Sequence, residues 1–439
     1  ISICAFTHRD RKLAQTGLSP RAHVVRWLSS LGPGIVTGAA DDDPSGIATY
    51  SIAGATAGFT LLWTALITTP MMAVLMGMCA RIGLVTDAGL VTVLKRTFNR
   101  HVVLGLVVLV TLANTLNIAA DYAGMAASAR LVLPLPEIVW IVGFAAALIA
   151  VEVFFTYRAF ARIIEWLCLS LLAYVVTAFI VHPHWPTVLL AAIVPHFEWN
   201  GLWLTTLLAV LGTTITPYLF IWQNSMYLEE VHARARKRPK QPIPRLNDAL
   251  SDAHADVNAG MGYSNLMTFF IIVTTAATLG AHHLPIATAQ DAALALRPLA
   301  GNFASLLFAL GIVGTGLLAI PVIAGSSAYA LADFFSWRDS LNDKPRQAPL
   351  FYLIIVLGLV GGMAMASFHL DPMKMLLYSA AFNGIAVVPL IYFVLRVSRM
   401  ESVLGKRTSS ASALWIGWAA FALMAVSSIL AIYSWVHPA

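Results

Sequence analysis

The chain has 439 residues, of which 59% are hydrophobic and only 11% are charged, with a formal net charge of +6. Soluble domains carry roughly 25% charged residues, so this composition excludes a soluble enzyme, a disordered chain and a secreted disulfide scaffold. The three cysteines, Cys4, Cys79 and Cys168, lie far apart and form no CxxC pair. A zinc site or a disulfide framework is therefore not expected, and a membrane protein with many spans remains.

Apolar stretches long enough to cross a bilayer recur along the chain. A spanning helix needs about 20 mostly apolar residues, and helices are expected because lipid cannot satisfy an open backbone. We predict an all-α membrane protein with eleven transmembrane helices. The predicted spans are 33–54, 58–80, 101–128, 136–156, 162–181, 203–228, 258–280, 302–332, 350–368, 372–398 and 413–436.

The basic residues are distributed unevenly between the two sides of this span map. Of the 27 lysines and arginines, only Arg130, Arg297 and Lys374 fall on one side, and all the others fall on the opposite side. Because loops rich in lysine and arginine stay in the cytoplasm, we predict a cytoplasmic N-terminus. The positive charge is thus explained by topology, and no nucleic-acid partner is expected.

Polar segments divide the predicted spans into four parts. Residues 1–30 form a basic N-terminal arm that lacks the apolar core of a signal peptide. Residues 31–182 hold spans one to five, and residues 203–398 hold spans six to ten with a long cytoplasmic loop at 229–257. Span eleven, 413–436, follows these two halves. Since the sequence begins with isoleucine, we expect further residues before it.

A polar run ending in a proline interrupts the first span. Asp41, Asp42 and Asp43 precede Pro44, which removes a backbone donor and clashes with the preceding turn. An aspartate at the centre of a spanning helix costs about 2.5–3.5 kcal/mol on insertion scales, so such residues are functional-site candidates. No lysine or arginine is predicted at similar depth. A transported cation is therefore the expected partner of these acids.

Not all three aspartates can face one site, because successive helical residues turn by about 100°. Asp43 is closest to the break and is expected to combine with the backbone carbonyls freed there. Asp41 and Asp42 are expected to face the outer vestibule or water, where they either attract ions or solvate the break.

The sixth span carries a similar interruption. Gly212 is followed by the polar run Thr213, Thr214 and Thr216, and then by Pro217 in mid-span. Spans one and six are the first spans of the two predicted five-helix halves. A pair of broken spans at matching positions indicates a transporter built from an inverted repeat, with its substrate bound near the midplane.

Four short segments resemble motifs of the Nramp family of divalent metal transporters. Leu31–Gly34 is similar to the family's LGPG entry, and Asp43–Gly46 occupies the place of its DPGN motif. Thr216–Tyr218 occupies the place of its MPH motif, and Ala120–Gly124 resembles its AExxG stretch. The resemblance implies a LeuT-type 5+5 inverted repeat, with the metal bound between broken helices one and six.

The resemblance also implies a set of metal ligands. Asp43 would supply the carboxylate, and Ala40 and Thr213 would supply backbone carbonyls. Thr216 takes the place of the family's methionine and would supply a hydroxyl or a water contact. Gly46 takes the place of its asparagine and is expected to leave space in the site.

These departures from the family pattern predict a preference for hard ions. Thioether sulfur favours transition metals, whereas Thr216 offers only a hydroxyl oxygen. Mg²⁺ dehydrates reluctantly and usually keeps several waters, which suits a roomy site. The pattern is similar to the Nramp-related magnesium transporter branch, so we predict transport of Mg²⁺ together with Mn²⁺ by alternating access.

Proton coupling is expected to be weak or absent. Tyr218 and Gln223 stand where the family has two histidines on helix six, and neither residue titrates near neutral pH. Asp121 stands where the family has an acid in span three; it is either a proton relay or a hydrogen-bonded partner of Asn117. Asn383 in span ten either lines the path or forms a hydrogen bond between helices.

Other functions fit parts of the pattern. A proton-coupled Mn²⁺/Fe²⁺ importer is the first alternative, and a LeuT-type carrier of an organic solute is the second. A passive divalent-cation channel is a third, because the sequence does not exclude leak. Ser326 and Ser327 offer a nucleophile for an intramembrane protease, but no histidine base is predicted at that depth, so an enzyme is not expected.

The expected partners are the divalent cation, as substrate, and the lipid bilayer. No cofactor is expected. The family branch places the protein in a bacterial inner (plasma) membrane, and the sequence leaves its oligomeric state open.

Overall fold

The computed structural model describes residues 33–437, apart from 155–168, 238–245 and the single positions 339, 342 and 369. The predicted N-terminal arm, 1–30, and the beginning of the fifth predicted span lie outside the described residues. Every regular element in the described ranges is helical, as the sequence predicts.

Eighteen α-helices are described. They are α1 (Pro33–Asp41), α2 (Pro44–Ala57), α3 (Trp63–Thr86), α4 (Leu90–Thr97), α5 (Arg100–Arg130), α6 (Glu137–Phe154), α7 (Leu172–Val181), α8 (Trp185–Ile193), α9 (Gly201–Thr214), α10 (Pro217–Lys237), α11 (Leu246–Thr278), α12 (Ala289–Ala293), α13 (Arg297–Ala300), α14 (Ala304–Phe335), α15 (Pro349–Ala366), α16 (Pro372–Ser398), α17 (Glu401–Leu404) and α18 (Ala411–Val436). Short 3₁₀ turns occupy Leu169–Leu171, Gly280–His282, Leu294–Leu296, Gly301–Phe303 and Gly405–Arg407.

The number of apolar helices agrees with a protein that crosses the membrane many times. Within the described ranges, nine helical segments are long and apolar enough to span a bilayer. The short helices α1 and α2 together form the first predicted span, and α7 is the described end of the fifth. The predicted membrane fold, with its first and sixth spans broken, is confirmed. The division into halves 31–182 and 203–398 stays a prediction.

Both breaks begin a new helix at a proline. α1 ends at Asp41 and α2 starts at Pro44, while α9 ends at Thr214 and α10 starts at Pro217. Proline is tolerated in the first turn of a helix because its missing N–H has no partner there. The same residue cannot continue the preceding helix, so each proline separates two half-helices.

The predicted cytoplasmic loop at 229–257 is corrected by the structure. α10 continues to Lys237 and α11 already begins at Leu246, so only 238–245 separates the two helices, and these residues are not described. The polarity of this stretch indicates helix ends that leave the lipid, rather than coil.

The interrupted helices lie at the centre of the bundle. Every residue of α2 from Pro44 to Ala55 is buried, and so is every residue of α9 from Trp203 to Thr214. α11 packs against α1 and α2, α5 packs against α14, and α16 packs against α9. Gly212 allows α9 and α16 to approach closely, because a Cβ there would collide with the Ala380 carbonyl and with Gly384 of α16.

Candidate functional site

Asp43 lies at the first break and caps α2. Its backbone is extended (φ −70°, ψ 172°), and its Oδ1 accepts a hydrogen bond from the Gly46 amide at 2.6 Å. This cap satisfies a free N–H group and places negative charge at the positive end of the helix dipole. The carboxylate therefore has a fixed direction, and only 2% of the residue is exposed.

An asparagine of α5 connects Asp43 to a second carboxylate. Asn117 Nδ2 donates to Asp43 Oδ2 at 2.9 Å and to Asp121 Oδ2 at 3.0 Å. Asn117 Oδ1 accepts from Asn383 Nδ2 of α16 at 2.6 Å. Since Asn383 occupies the amide oxygen, the amide nitrogen of Asn117 is held toward the two carboxylates.

Asp121 anchors the start of α2. Its Oδ1 accepts from the Ser45 amide at 3.2 Å, while its Oδ2 takes the bond from Asn117. The structure thus contains the hydrogen bond between Asp121 and Asn117, and also a hydrogen bond between helices at Asn383. A relay role for Asp121 stays a prediction.

Tyr218 contacts the carbonyl that was predicted as a second ligand. Its hydroxyl donates to Ala40 O at 2.9 Å, and its own carbonyl accepts from Ser326 Oγ of α14 at 2.9 Å. The bond to Ala40 ties the end of α1 to the start of α10 across both breaks, and the bond from Ser326 ties the start of α10 to α14. One of the two lone pairs of the Ala40 carbonyl is therefore occupied.

Thr213 of α9 closes part of the space that was expected beside Gly46. A Cβ placed on Gly46 would lie 3.2 Å from Thr213 Oγ1 and 3.4 Å from the Asp41 carbonyl oxygen. Gly46 and Thr213 thus bring α2 and α9 close together, and the expectation that Gly46 leaves space in the metal site stays a prediction. Thr216 is 1% exposed, and its hydroxyl has no hydrogen-bond partner.

Asp41 and Asp42 do not face a water-filled vestibule. Both are fully buried and contact one hydroxyl of α11, because Ser264 Oγ lies 2.6 Å from Asp41 Oδ2 and 3.3 Å from Asp42 Oδ1. The expected exposure of these acids is wrong, since α11 packs over the end of α1. Asp42 therefore lies beside the break, on the side of α11.

Gln223 lies further along α10 than Tyr218, and its predicted place beside the site stays a prediction. It lies seven residues after Thr216 on α10, which is about 10 Å along a helix, and it is buried beside Tyr227. Within the described ranges, no three or more His, Cys, Asp or Glu side chains are arranged to hold a metal ion. A cation at this site would therefore need backbone and hydroxyl oxygens beside the carboxylates.

Two residues near the breaks were not predicted. Ser264 bonds to Asp41 from 223 positions away in sequence, and no local pattern signals that contact. The Met125 thioether of α5 packs against Gly316 of α14, which also lies close to Pro44. Its position one turn after Asp121 is the only sequence signal that points to it.

A second polar region lies at the end of the bundle reached by α10. Glu229 accepts hydrogen bonds from the Tyr329 hydroxyl and, at 2.6 Å, from the Leu341 amide. Arg338 pairs with Asp343 at 2.7 Å, and this bond raises the pKa of the Arg338 guanidinium above its ordinary value. These contacts hold the loop after α14 against α10. A cavity of about 410 Å³ adjoins them, with Asp87 and Asp333 among its lining residues.

Two interrupted helices at the centre of the bundle, with carboxylates at the first break, define a polytopic membrane protein of the LeuT-type fold. The Eremococcus coleocola manganese transporter shares this fold with a TM-score of 0.70 at 17% identity, over 95% of this chain and 88% of that one. Mhp1, a nucleobase-cation-symport-1 family transporter, superposes with a TM-score of 0.55 at 15% identity, over 92% and 91%.

The chain belongs to the Nramp family, because the family profile described as natural resistance-associated macrophage protein-like matches residues 34–434. The divalent metal cation transporter MntH of Mycobacterium tuberculosis (strain CDC 1551 / Oshkosh) is 24% identical over 429 residues, covering 97% of this chain and 96% of its own. MntH of Deinococcus radiodurans is 25% identical over 428 residues, covering 94% and 91%. These relatives are named as transporters, and the predicted resemblance to Nramp is confirmed.

Proposed function

We propose that this protein is a secondary transporter that carries divalent metal cations by alternating access, with Mg²⁺ and Mn²⁺ as its substrates. The observation that carries the proposal is Asp43, a buried carboxylate held at the junction of two half-helices and close to the break of a second helix. Family membership and the MntH relatives support the divalent cation class.

The proposed ligands are the Asp43 carboxylate, the carbonyls of Ala40 and Thr213, and the hydroxyl of Thr216. All four residues are buried, with at most 2% of their surface exposed. The unpartnered Thr216 hydroxyl supports this assignment, since a buried polar group without a partner costs free energy that a bound ion or its water would recover.

A preference for hard ions follows from these donors. Each proposed ligand is an oxygen atom, and carboxylate, carbonyl and water oxygens suit Mg²⁺ and Mn²⁺. The hydrogen bond from Tyr218 to Ala40 O leaves this carbonyl fewer lone pairs for direct coordination. An ion that keeps part of its water shell, as Mg²⁺ does, therefore matches the site best.

Weak or absent proton coupling is part of the same proposal. Both oxygens of Asp121 accept hydrogen bonds from Ser45 and Asn117, which favours a structural carboxylate over a relay that takes up and releases protons. Tyr218 and Gln223 stand in the places of the two family histidines, so neither position offers a group that titrates near neutral pH.

The proposed location is the inner (plasma) membrane of a bacterium, with the N-terminus in the cytoplasm. The bacterial MntH relatives support the membrane. The orientation rests on the positive-inside rule, because almost all the lysines and arginines fall on one side of the predicted spans.

The proposal is tested by uptake of Mg²⁺ and Mn²⁺ into proteoliposomes holding the Asp43→Asn variant. We expect uptake of both ions to be lost while the protein stays monodisperse with an unchanged melting temperature. Asp333→Asn is the matched control, because Asp333 is also a buried carboxylate, but it bonds to Val91 and Thr92 of α4, away from the breaks. Retained Mn²⁺ uptake in Asp43→Asn would overturn the site assignment.

A further inference from the structure

We propose that Asp41, Asp42, Ser264 and Thr268 form a second cation site, which takes a hard divalent cation on the opposite side of the first break from Asp43. The inference rests on the proposed function, since the cation must reach the break. It adds a second ion to a protein for which one transported ion has been proposed.

The four oxygens of the two carboxylates have too few hydrogen-bond donors around them. Ser264 has one hydroxyl hydrogen, and its oxygen lies near Asp41 Oδ2 and Asp42 Oδ1. Asp41 Oδ1 and Asp42 Oδ2 are buried without any hydrogen-bond partner. A buried carboxylate without compensation is costly, so either a cation or bound protons must neutralise the two carboxylates between α1 and α11.

The described part of the chain does not provide a buried positive charge. Among the buried polar and charged residues of the described ranges, there is no lysine or arginine. Asp41 is the last residue of α1, and the C-terminal end of a helix carries partial negative charge. The helix dipole therefore disfavours the two anions and favours a cation, as at other half-helix C-termini in transporters.

Thr268 provides an independent indication of a ligand. It lies one turn after Ser264, so both side chains share a face of α11. Thr268 is fully buried, its hydroxyl has no hydrogen-bond partner, and it lies beside Tyr50. The Thr268 hydroxyl is thus a further buried oxygen without a hydrogen-bond partner, on the face of α11 that carries Ser264.

The second site is distinct from the Asp43 site because the carboxylates face different helices. Asp43 is bound by Asn117 of α5, whereas Asp41 and Asp42 are bound by Ser264 of α11. Two ionised carboxylates carry the charge that one divalent cation neutralises. Carboxylate and hydroxyl oxygens suit Mg²⁺, Ca²⁺ and Mn²⁺, so the cation belongs to that class.

Equilibrium binding of radioactive Mn²⁺ to the purified full chain tests the proposal by counting ions. We expect two Mn²⁺ per wild-type chain, one in Asp43→Asn and one in the double variant Asp41→Asn/Asp42→Asn. One Mn²⁺ in the wild type, with no loss in the double variant, would overturn the second site and show that the acids hold protons instead. That result leaves the proposed function intact.

Other outcomes separate the two proposals further. If the ion count in Asp43→Asn equals the wild-type count while the double variant loses an ion, the assignment of Asp43 fails and the second site stands. Because the double variant can fail to fold, Ser264→Ala provides a second test. In this variant we expect the Mn²⁺ at the second site to bind at least about tenfold less tightly than in the wild type. Ser379→Ala is the control, since Ser379 is a buried serine that bonds only within α16, and it should match the wild type. Unchanged binding in Ser264→Ala would contradict the proposal.

Discussion

The Tyr218 hydroxyl donates a hydrogen bond to the Ala40 carbonyl at 2.9 Å. This bond joins the last turn of α1 to the first turn of α10, so it links the two breaks directly. It also occupies a carbonyl that the resemblance to the Nramp family assigns to the metal. Tyr218 is thus in a position to decide how many bare oxygens an ion meets.

Removing this hydroxyl should shift selectivity toward Mn²⁺. In Tyr218→Phe the Ala40 carbonyl is free to coordinate directly, which favours an ion that gives up its waters more readily than Mg²⁺ does. We expect Mn²⁺ to compete up to about tenfold better against Mg²⁺, the equivalent of about 1.4 kcal/mol. Competitive uptake into proteoliposomes measures this ratio. Tyr352→Phe, which loses a bond to Asp343 O far from the breaks, is the control. An unchanged ratio in Tyr218→Phe would show that Ala40 does not limit coordination.

Replacing the buried hydroxyl by a thioether should admit soft ions. Thr216→Met places sulfur where the structure has an unpartnered hydroxyl, and sulfur favours ions such as Cd²⁺. We expect tighter Cd²⁺ binding and weaker Mg²⁺ binding, measured by calorimetry. Met125→Leu, made in the same background, removes the thioether near Pro44 and separates its contribution. If Thr216→Met leaves Cd²⁺ binding unchanged, Thr216 does not line the site.

The bridging amide should matter more than the residue that orients it. Asn117→Leu leaves Asp43 and Asp121 without their shared donor, and an unsatisfied buried group costs about 1–3 kcal/mol. We expect the KM for Mn²⁺ to rise about tenfold or more. Asn383→Leu removes only the hydrogen bond to the Asn117 oxygen, so it should raise the KM for Mn²⁺ less. The double variant Asn117→Leu/Asn383→Leu should have the same KM as Asn117→Leu alone, because both changes act on one network.

Asn114→Leu is the matched control for this series. Asn114 lies one turn before Asn117 on α5 and donates to Ser327 Oγ at 2.8 Å. We expect its KM for Mn²⁺ to match the wild type. If Asn117→Leu and Asn114→Leu have the same KM for Mn²⁺, the Asn117 amide does not contribute to Mn²⁺ transport.

Restoring the family's asparagine at position 46 should impair the protein. A Cβ there lies 3.2 Å from Thr213 Oγ1, so Gly46→Asn requires the Thr213 side chain to shift against the packing of α2 and α9. We expect reduced uptake and a lower melting temperature. Thr213→Ala removes the crowding hydroxyl while keeping the proposed carbonyl ligand, so the double variant should regain uptake. Normal uptake by Gly46→Asn alone would show that α2 and α9 have room for an asparagine side chain at this position.

Local chemistry explains which parts of the fold were predictable. Both breaks follow from the sequence because proline has no backbone N–H: Pro44 and Pro217 cannot continue the preceding helix, but each fits the first turn of the next one. The extent of α10 and α11 did not follow, because a polar stretch indicates contact with water and not the absence of a helix. Polarity alone therefore placed a loop at 229–257 where the helices continue.

The candidate site was only partly predictable because long-range packing completes it. Asp43 was identified from its position before Pro44. The contact of Asp41 with Ser264 spans 223 positions, and the closeness of Thr213 to Gly46 depends on how two helices approach. Neither relationship has a local signature, so the sequence predicted exposed acids where the structure has buried acids, and it did not predict the contact between α2 and α9.

Mg²⁺ transport without proton coupling is tested most directly by ion uptake into proteoliposomes that contain both a Mg²⁺-sensitive and a pH-sensitive dye. We expect Mg²⁺ entry without acidification of the lumen, because the donors are hard oxygens and Asp121 is held by Ser45 and Asn117. Mn²⁺ entry with acidification and without Mg²⁺ entry would contradict it, and would identify a proton-coupled transition-metal importer.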